Sequence, residues 1–369
     1  MKSIKYKVTH TTEYYYNEPV PLCHNLIRLW PRDTVHQRCV TCSLTISPVP
    51  AERHDRVDFF GNHATWVSLQ EPHKVLRVEA VSEVEVQPSV PPPSDPNGPS
   101  WESVVELLSW RGDARRPPDP VLLAVREYTF DSPQLKAGPE LADYARPSFP
   151  PRRPLLAAVI DLTQRIYKEF TFDARATTVG TPVLDVLRNR RGVCQDFAHL
   201  EIGCLRSLGL AARYVSGYVL TRPPPGQKRL VGADASHAWV SVFFPGTGWV
   251  DFDPTNNVLP STEHVTLGWA RDYDDVSPIK GVIIGGHRHS MYVGVTVEPI
   301  LSPEEAAAAA AVAKAAAEKA GAGASTAAPP AVVAQPGGQQ SAQGGGKAPT
   351  DPARLPDGTP LSQPPLPDS

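Results

Sequence analysis

The chain of 369 residues has no run of about 18 consecutive apolar residues, the minimum for a helix that spans a bilayer. Its opening, Met-Lys-Ser-Ile-Lys-Tyr-Lys, is basic but lacks the apolar stretch of a secretory signal. Charge of one sign is also missing: the formal net charge is -3, too small to recruit nucleic acid or a membrane surface, and neither partner is expected. Cysteine is scarce, with five in the whole chain. An odd, small number in a long chain is not a disulfide framework, so a reducing, cytoplasmic setting is expected. No repeat of solenoid length is present. Cys39-Val40-Thr41-Cys42 has no second pair to complete a zinc site. It lies in a strand-like run, where positions three apart point to opposite faces, so these two thiols read as small core residues.

What the chain has in quantity is proline, 41 residues unevenly spread, and this spacing divides it. Residues 1–90 carry short alternating runs (43–46, 64–69, 75–86) broken by turn signals such as Gly61-Asn62, the pattern of an N-terminal β-rich domain. Residues 91–150 read as a Pro-rich connection with short helices, one of them near residues 101–110. Residues 151–300 form the third unit, a core followed by C-terminal strands. In it Leu155, Val159, Leu162, Ile166 and Phe170 step along one face of an amphipathic helix. A helix opening near Thr181-Pro182 uses proline at its first position. A further helix over residues 194–208, apolar around much of its circumference, is buried and closed by Gly209. Strands follow at 211–220, 238–244, 249–252 and within 279–297. Residues 301–369, rich in Ala, Pro and Gly, offer too little to bury and read as a disordered tail.

Three segments carry candidate chemistry: Gly192-Val193-Cys194-Gln195-Asp196-Phe197, Ser236-His237-Ala238-Trp239, and Gly248-Trp249-Val250-Asp251-Phe252-Asp253-Pro254-Thr255. A cysteine in the first turn of a helix faces unpaired backbone N–H groups and the positive end of the dipole. Both favour thiolate over thiol, lowering the pKa from about 8.5, and the same N–H groups suit an oxyanion. Such a nucleophile needs a base, and the base needs a third group to orient it. His199 and Asp196 are excluded as partners, lying about 140° and about 160° from the Cys194 face by helical rotation. Both read as part of a polar patch on that helix. His237 remains, on a strand where Trp239, Ser241 and Phe243 share its face.

The third group depends on the hairpin between Phe244 and Trp249. With a four-residue loop, Val240 faces Asp253 and both carboxylates turn away from His237. With three or five residues, Asp253 lies opposite Trp239 and diagonal to His237, within about 7–8 Å at Cα, while Asp251 faces Ser241. Asp253 is favoured on an odd register.

The Cys194 segment, the run Leu205-Arg206-Ser207-Leu208-Gly209-Leu210-Ala211-Ala212-Arg213-Tyr214-Val215-Ser216-Gly217-Tyr218, His237-Ala238-Trp239, and Gly248 through Thr255 together resemble the bacterial transglutaminase-like superfamily. His10-Thr11-Thr12-Glu13-Tyr14-Tyr15-Tyr16, Arg28-Leu29-Trp30-Pro31 and Phe60-Gly61-Asn62 resemble the β-rich N-terminal region of one bacterial branch, and residues 271–278 resemble the segment that follows its core. The resemblance implies an α+β, papain/transglutaminase-like core, with the cysteine helix packed on an antiparallel sheet carrying His and Asp, behind an N-terminal all-β region. It implies a catalytic Cys194, His237 and Asp253. The activity implied is cysteine-dependent acyl transfer on a protein or peptide amide, through a thioester, to an amine or to water. A cysteine peptidase and an idle binding scaffold are the alternatives. No cofactor is implied. Eukaryotic cross-linking relatives use calcium, but Asp272, Asp274 and Asp275 lack an EF-hand pattern. His287-Arg288-His289 reads as surface, so no metal is expected.

Overall fold

Antiparallel strands with alternating burial build the first third of the computed structural model, which describes residues 2–89, 98–109, 119–221 and 235–301. They are β1 (Ile4–Val20), β2 (Leu22–Ile27), β3 (Gln37–Ser47), β4 (Glu52–Val57), β5 (His63–Leu69) and β6 (His73–Val86). The helical layer follows with α1 (Trp101–Leu108), α2 (Pro120–Arg126), α3 (Pro139–Ala145) and α4 (Leu155–Glu169). Next come β7 (Thr171–Phe172), α5 (Val183–Asn189), β8 (Arg191–Gly192) and α6 (Cys194–Ser207). The chain closes with β9 (Ala212–Val219), β10 (Ala235–Phe244), β11 (Gly248–Phe252), β12 (His264–Ala270), α7 (Tyr273–Val276), β13 (Ile279–Ile284) and β14 (His289–Pro299). The fold is α+β, with an N-terminal all-β region and a core in which helices pack on an antiparallel sheet. No helix among the described residues is long and apolar enough to cross a membrane.

Two four-stranded sheets, β14-β1-β6-β3 and β13-β2-β5-β4, enclose one apolar core containing Tyr6, Val8, Ile27, Val67, Leu76 and Val78. The C-terminal strands therefore do not extend the unit that begins at residue 151. β14 pairs along β1, and β13 along β2, so the β domain is assembled from both ends of the described chain. Residues 98–109 and 119–150 are likewise more than a connection. Val104, Leu108, Tyr128, Leu135, Leu141 and Phe149 are buried in the same core as α4 and α6. The tail expected at 301–369 lies, apart from Leu301, outside the described residues.

A bulge corrects the expectation for the two N-terminal thiols. Cys39 pairs with Val84 and Cys42 with Ser82, because the β3–β6 register shifts between Cys39 and Thr41. One extra residue restores the alternation, so Cys39 and Cys42 share the inward face instead of opposing ones. Burial raises both thiols, Cys39 to about 11 and Cys42 to about 12.

The third sheet, β11-β10-β9-β12, carries α6. Ala238, Val240, Val242 and Phe244 join the core with Leu200, Ile202 and Leu205 of that helix. Its edge strand β12 would expose unpaired backbone groups, and the β domain closes it with side-chain amides. Gln37 donates to the Thr266 carbonyl and accepts from the Thr266 N–H, both at 2.7 Å. Asn62 does the same for Trp269, at 2.9 and 3.0 Å. Tyr218 of β9 also crosses into the β core, its hydroxyl 3.0 Å from His10 Nδ1. The N-terminal motif residues His10 and Asn62 thus couple the two units.

Candidate active site

Local capping places Cys194. It is the first residue of α6, a helix of 14 residues, so the unpaired N–H groups of the first turn surround it. Asp196, three residues beyond Val193, turns back: its Oδ2 accepts from the Val193 N–H at 2.8 Å and from Thr177 Oγ1 at 2.6 Å. A side chain at position 192 would stand 2.6 Å from that carboxylate oxygen, so Gly192 is required for the cap. Asp196 is therefore a capping residue held in the helix start, not part of a polar patch. His199 is also buried, and its Nε2 accepts the Tyr273 N–H at 3.2 Å. Burial lowers His199 to about 4, which keeps it neutral and fixes α7 against α6.

The hairpin has the odd register. Phe244 pairs with Gly248, Val242 with Val250, Ser241 with Asp251 and Val240 with Phe252, leaving Pro245, Gly246 and Thr247 as a three-residue loop. Positive φ at Gly246 (79°) and Gly248 (94°) allows the short turn. The ladder ends at Val240–Phe252, and Asp253 follows directly, bridged to Val258, in the odd register that turns it toward His237. The His237 Nε2 to Asp253 Oδ2 distance is 2.8 Å. Cys194 also acts on the imidazole, raising its pKa, and with Nε2 engaged by Asp253, Nδ1 is the nitrogen available to sulfur. Cys194, His237 and Asp253 are thus brought together, the imidazole hydrogen-bonded to the carboxylate and influenced by the thiol. Asp251 is held elsewhere: its Oδ2 accepts the Trp239 indole N–H at 3.0 Å.

Asp253 is fully buried and heavily solvated by protein. Oδ2 accepts from His237, from His264 Nε2 at 3.0 Å and from Asn256 Nδ2 at 2.7 Å. Oδ1 accepts from the Thr255 and Asn256 N–H groups at 2.9 and 3.1 Å. Burial alone would raise this carboxyl, but the hydrogen bonds from His237 and His264 outweigh it and hold the group well below the usual range. For His237 burial acts downward. Hydrogen bonds to Asp253 and Cys194 outweigh it and raise the imidazole to about 10. A charged imidazolium beside the ionised Asp253 is the state this environment favours.

His264 and Asn256 were not found from the sequence. Asn256 had a local signal, since Asp-Pro-Thr-Asn reads as a turn that wraps its own aspartate. His264 had none: it reaches the site from β12, on the far side of β9 from the hairpin. It packs edge-on against Trp239, with ring centroids 5.2 Å apart. Glu201, two turns along α6 from Cys194 and on nearly the same face, was missed as well. It is fully buried, accepts from Thr163 Oγ1 at 2.6 Å, and burial raises it to about 8.

Ligating atoms of His237, Asp253 and His264 lie within 4.8 Å of one another, a donor set that suits a divalent metal. The contacts to Oδ2 have N–H···O lengths and Asn256 occupies a further approach to that oxygen, so the geometry is that of a proton-bridged network. Asp272 caps α7 and accepts from the Gln134 N–H, Asp275 pairs with Arg271, and Asp274 with Lys280. His289 is not simple surface, for its ring packs against Tyr14 and Tyr16. It lines a cleft of about 360 Å³ between the β domain and the core. Val179 and Tyr273 also line that cleft. Both border the nucleophile: Val179 accepts from the side chain of Gln195 at 3.2 Å, and the Tyr273 hydroxyl lies within electrostatic reach of Cys194.

Residues 6–85 match the family described as bacterial transglutaminase-like N-terminal region, and residues 143–254 match the transglutaminase-like superfamily. An uncharacterized protein of Mycobacterium tuberculosis is 42% identical over 300 residues, covering 80% of this chain and 93% of that protein. A protein-glutamine gamma-glutamyltransferase of Pseudomonas aeruginosa is 33% identical over 124 residues, 32% of this chain and 18% of that protein. The crystal structure of a proposed cysteine protease from Cytophaga hutchinsonii superposes with a TM-score of 0.62 at 18% identity, covering 82% of this chain and 92% of that one.

Proposed function

The chain belongs to the transglutaminase-like superfamily, and on that footing we propose that it catalyses cysteine-dependent acyl transfer from a glutamine or related amide of a protein or peptide. The observation that carries this reading is the 2.8 Å hydrogen bond between His237 and Asp253, with Cys194 at the start of α6 acting on the same imidazole.

The Cys194 thiolate attacks the amide carbonyl, forming a C–S bond and placing negative charge on oxygen. N–H groups of the first turn of α6 are positioned to stabilise that charge. As the intermediate collapses, the C–N bond breaks and the His237 imidazolium gives its proton to the departing nitrogen, which leaves as ammonia or an amine. The product is a thioester on Cys194 with a neutral His237. An amine or water then attacks the thioester while His237 takes its proton, and the thiolate leaves. Asp253 keeps the ring oriented and stabilises its charged form throughout, and His264 and Asn256 keep Asp253 ionised and immobile. All five cysteines are unpaired, which supports a reducing, cytoplasmic setting.

A peptidase uses the same residues with a backbone nitrogen as leaving group. Incubation of a glutamine-containing peptide library with and without a labelled primary amine separates the outcomes. Amine incorporation or ammonia release supports the reading. Cleaved peptide without either outcome replaces it with a peptidase, and no Cys194-dependent change in any peptide rejects both in favour of an idle scaffold.

A further inference from the structure

The sheet β13-β2-β5-β4 has two open edges that are guarded very differently. β4 carries Glu52, Arg53, Asp55 and Arg56 and is exposed along its whole length, the usual charged protection of an edge strand. β13 reads Ile279-Lys280-Gly281-Val282-Ile283-Ile284, with a single charge. Val282 and Ile284 are 63% and 57% exposed. An edge this apolar is ordinarily a liability, and it lies beside the cleft: residues 279–283 all line that space.

Hydrogen-bond alternation shows which groups are open. The Pro278 carbonyl accepts the Arg28 N–H at 2.7 Å, in register with Ile279 opposite Ile27. Along an antiparallel ladder every second residue bonds to the partner strand. Lys280, Val282 and Ile284 therefore bond to β2, while Ile279, Gly281 and Ile283 turn their N–H and C=O groups outward. No described residue pairs with those outward groups.

We propose that the open edge of β13 binds an extended segment of the polypeptide substrate as an added strand, steering its reactive side chain past Tyr273 to Cys194. This rests on the acyl-transfer reading above and names the substrate as an extended chain recognised through its backbone. Continuity selects the occupant. β13 follows α7 directly, and α7 begins with Tyr273, so a strand added here runs out of the ladder toward the nucleophile. Side chains of the added strand alternate between two walls. One is Val282 with the stacked His24–Trp66 pair, centroids 5.5 Å apart, and the other is Tyr14, Tyr16 and His289. Apolar or aromatic residues at alternate positions are therefore preferred.

The test uses an octapeptide with one glutamine between alternating valine and tyrosine, and a set in which each backbone nitrogen is methylated in turn. Dissociation constants are measured on the Cys194→Ala full chain, and turnover on the unmodified chain, with an N-acylated glutamine amide as a short substrate that cannot reach β13. Methylation at every second nitrogen should weaken binding by at least about fivefold, the loss of roughly one hydrogen bond, and the intervening sites should tolerate it. Ile283→Pro, which removes an outward N–H, should weaken the octapeptide similarly while turnover of the short substrate stays near normal. Its melting temperature controls for folding, and the methylation series does not depend on it. A flat methylation series overturns the proposal, as does a dimer that Ile283→Pro dissociates, because a second copy then occupies the edge. Short-substrate turnover with a flat series sinks the docking site alone, whereas periodic binding with no turnover of any amide sinks the acyl-transfer reading alone.

Discussion

Asp253 Oδ2 accepts a hydrogen bond from His264 at 3.0 Å, on the same oxygen that holds His237. One carboxylate oxygen thus fixes two imidazoles, one facing the thiol and one behind it. The distinction between Asp253 and Asp251 follows from it. Asp253→Asn should lower turnover by at least about tenfold, or about 1.4 kcal/mol of barrier. A serine triad loses about 10⁴ on the equivalent change, but a preformed thiolate–imidazolium pair leans less on its acid. Asp251→Asn should cost much less, because an amide oxygen can still accept the Trp239 indole N–H. His264→Phe keeps the packing on Trp239 but removes one donor, for a loss of about fivefold. Turnover and melting temperature of the three variants decide it. A more damaging Asp251→Asn would assign the orienting role to the wrong carboxylate.

His237 should titrate near 10 in the native protein. Its folded pKa lies above its unfolded value of 6.5, so the stability it contributes is complete below that pH and is lost as pH rises through the folded value. In Cys194→Ala the sulfur partner that raises it is gone, and the imidazole pKa should fall. NMR titration of the ring protons in both proteins checks this. An unchanged pKa would mean that sulfur and imidazole do not form a pair.

Glu201 has a linkage of the same sign over a lower pH window, but here it is the neutral form that the native state favours. Its unfolded carboxyl ionises near 4.5 and its folded carboxyl near 8. Between these values the unfolded chain has released a proton that the native state retains, so stability falls as pH rises. Glu201→Gln removes that slope and should stabilise the protein most at pH 8 and above, on the order of a few kcal/mol. Denaturant melts at pH 5 and pH 8 measure it. Equal slopes in both proteins would show that Glu201 is not the group responsible.

Among the thiols, Cys194 should react fastest with iodoacetamide near neutral pH. Burial raises Cys23, Cys39, Cys42 and Cys204, and Cys23 and Cys204 are also inaccessible. Mass spectrometry of tryptic peptides over a time course gives the order. Labelling of Cys23 or Cys204 at an equal rate would contradict the site.

Local signals made much of this legible. The apolar positions over 194–208 marked a buried helix opening at Cys194, and the count of residues in the Pro245–Gly248 turn limited Asp253 to two registers. Helical rotation removed His199 and Asp196 as partners, though not their roles, which depend on the contacts of Asp196 with Thr177 and of His199 with Tyr273. Other features depended on pairing across long sequence separations. His264 meets Asp253 only because β12 flanks β9. The bulge at Val40 reverses the sidedness of Cys42 without any glycine or proline to announce it. The return of β13 and β14 to the N-terminal sheets has no local signature either, because an alternating strand does not encode its partner.

The thioester is the most direct test of the central claim. The protein is mixed with a glutamine-containing peptide, quenched in acid within the first turnover, digested, and analysed by mass spectrometry. The account predicts that the peptide carrying Cys194 gains the mass of the substrate acyl group, with one ammonia lost, and that hydroxylamine removes it. Turnover of the peptide with no adduct on Cys194, or turnover that survives in Cys194→Ala, would contradict it.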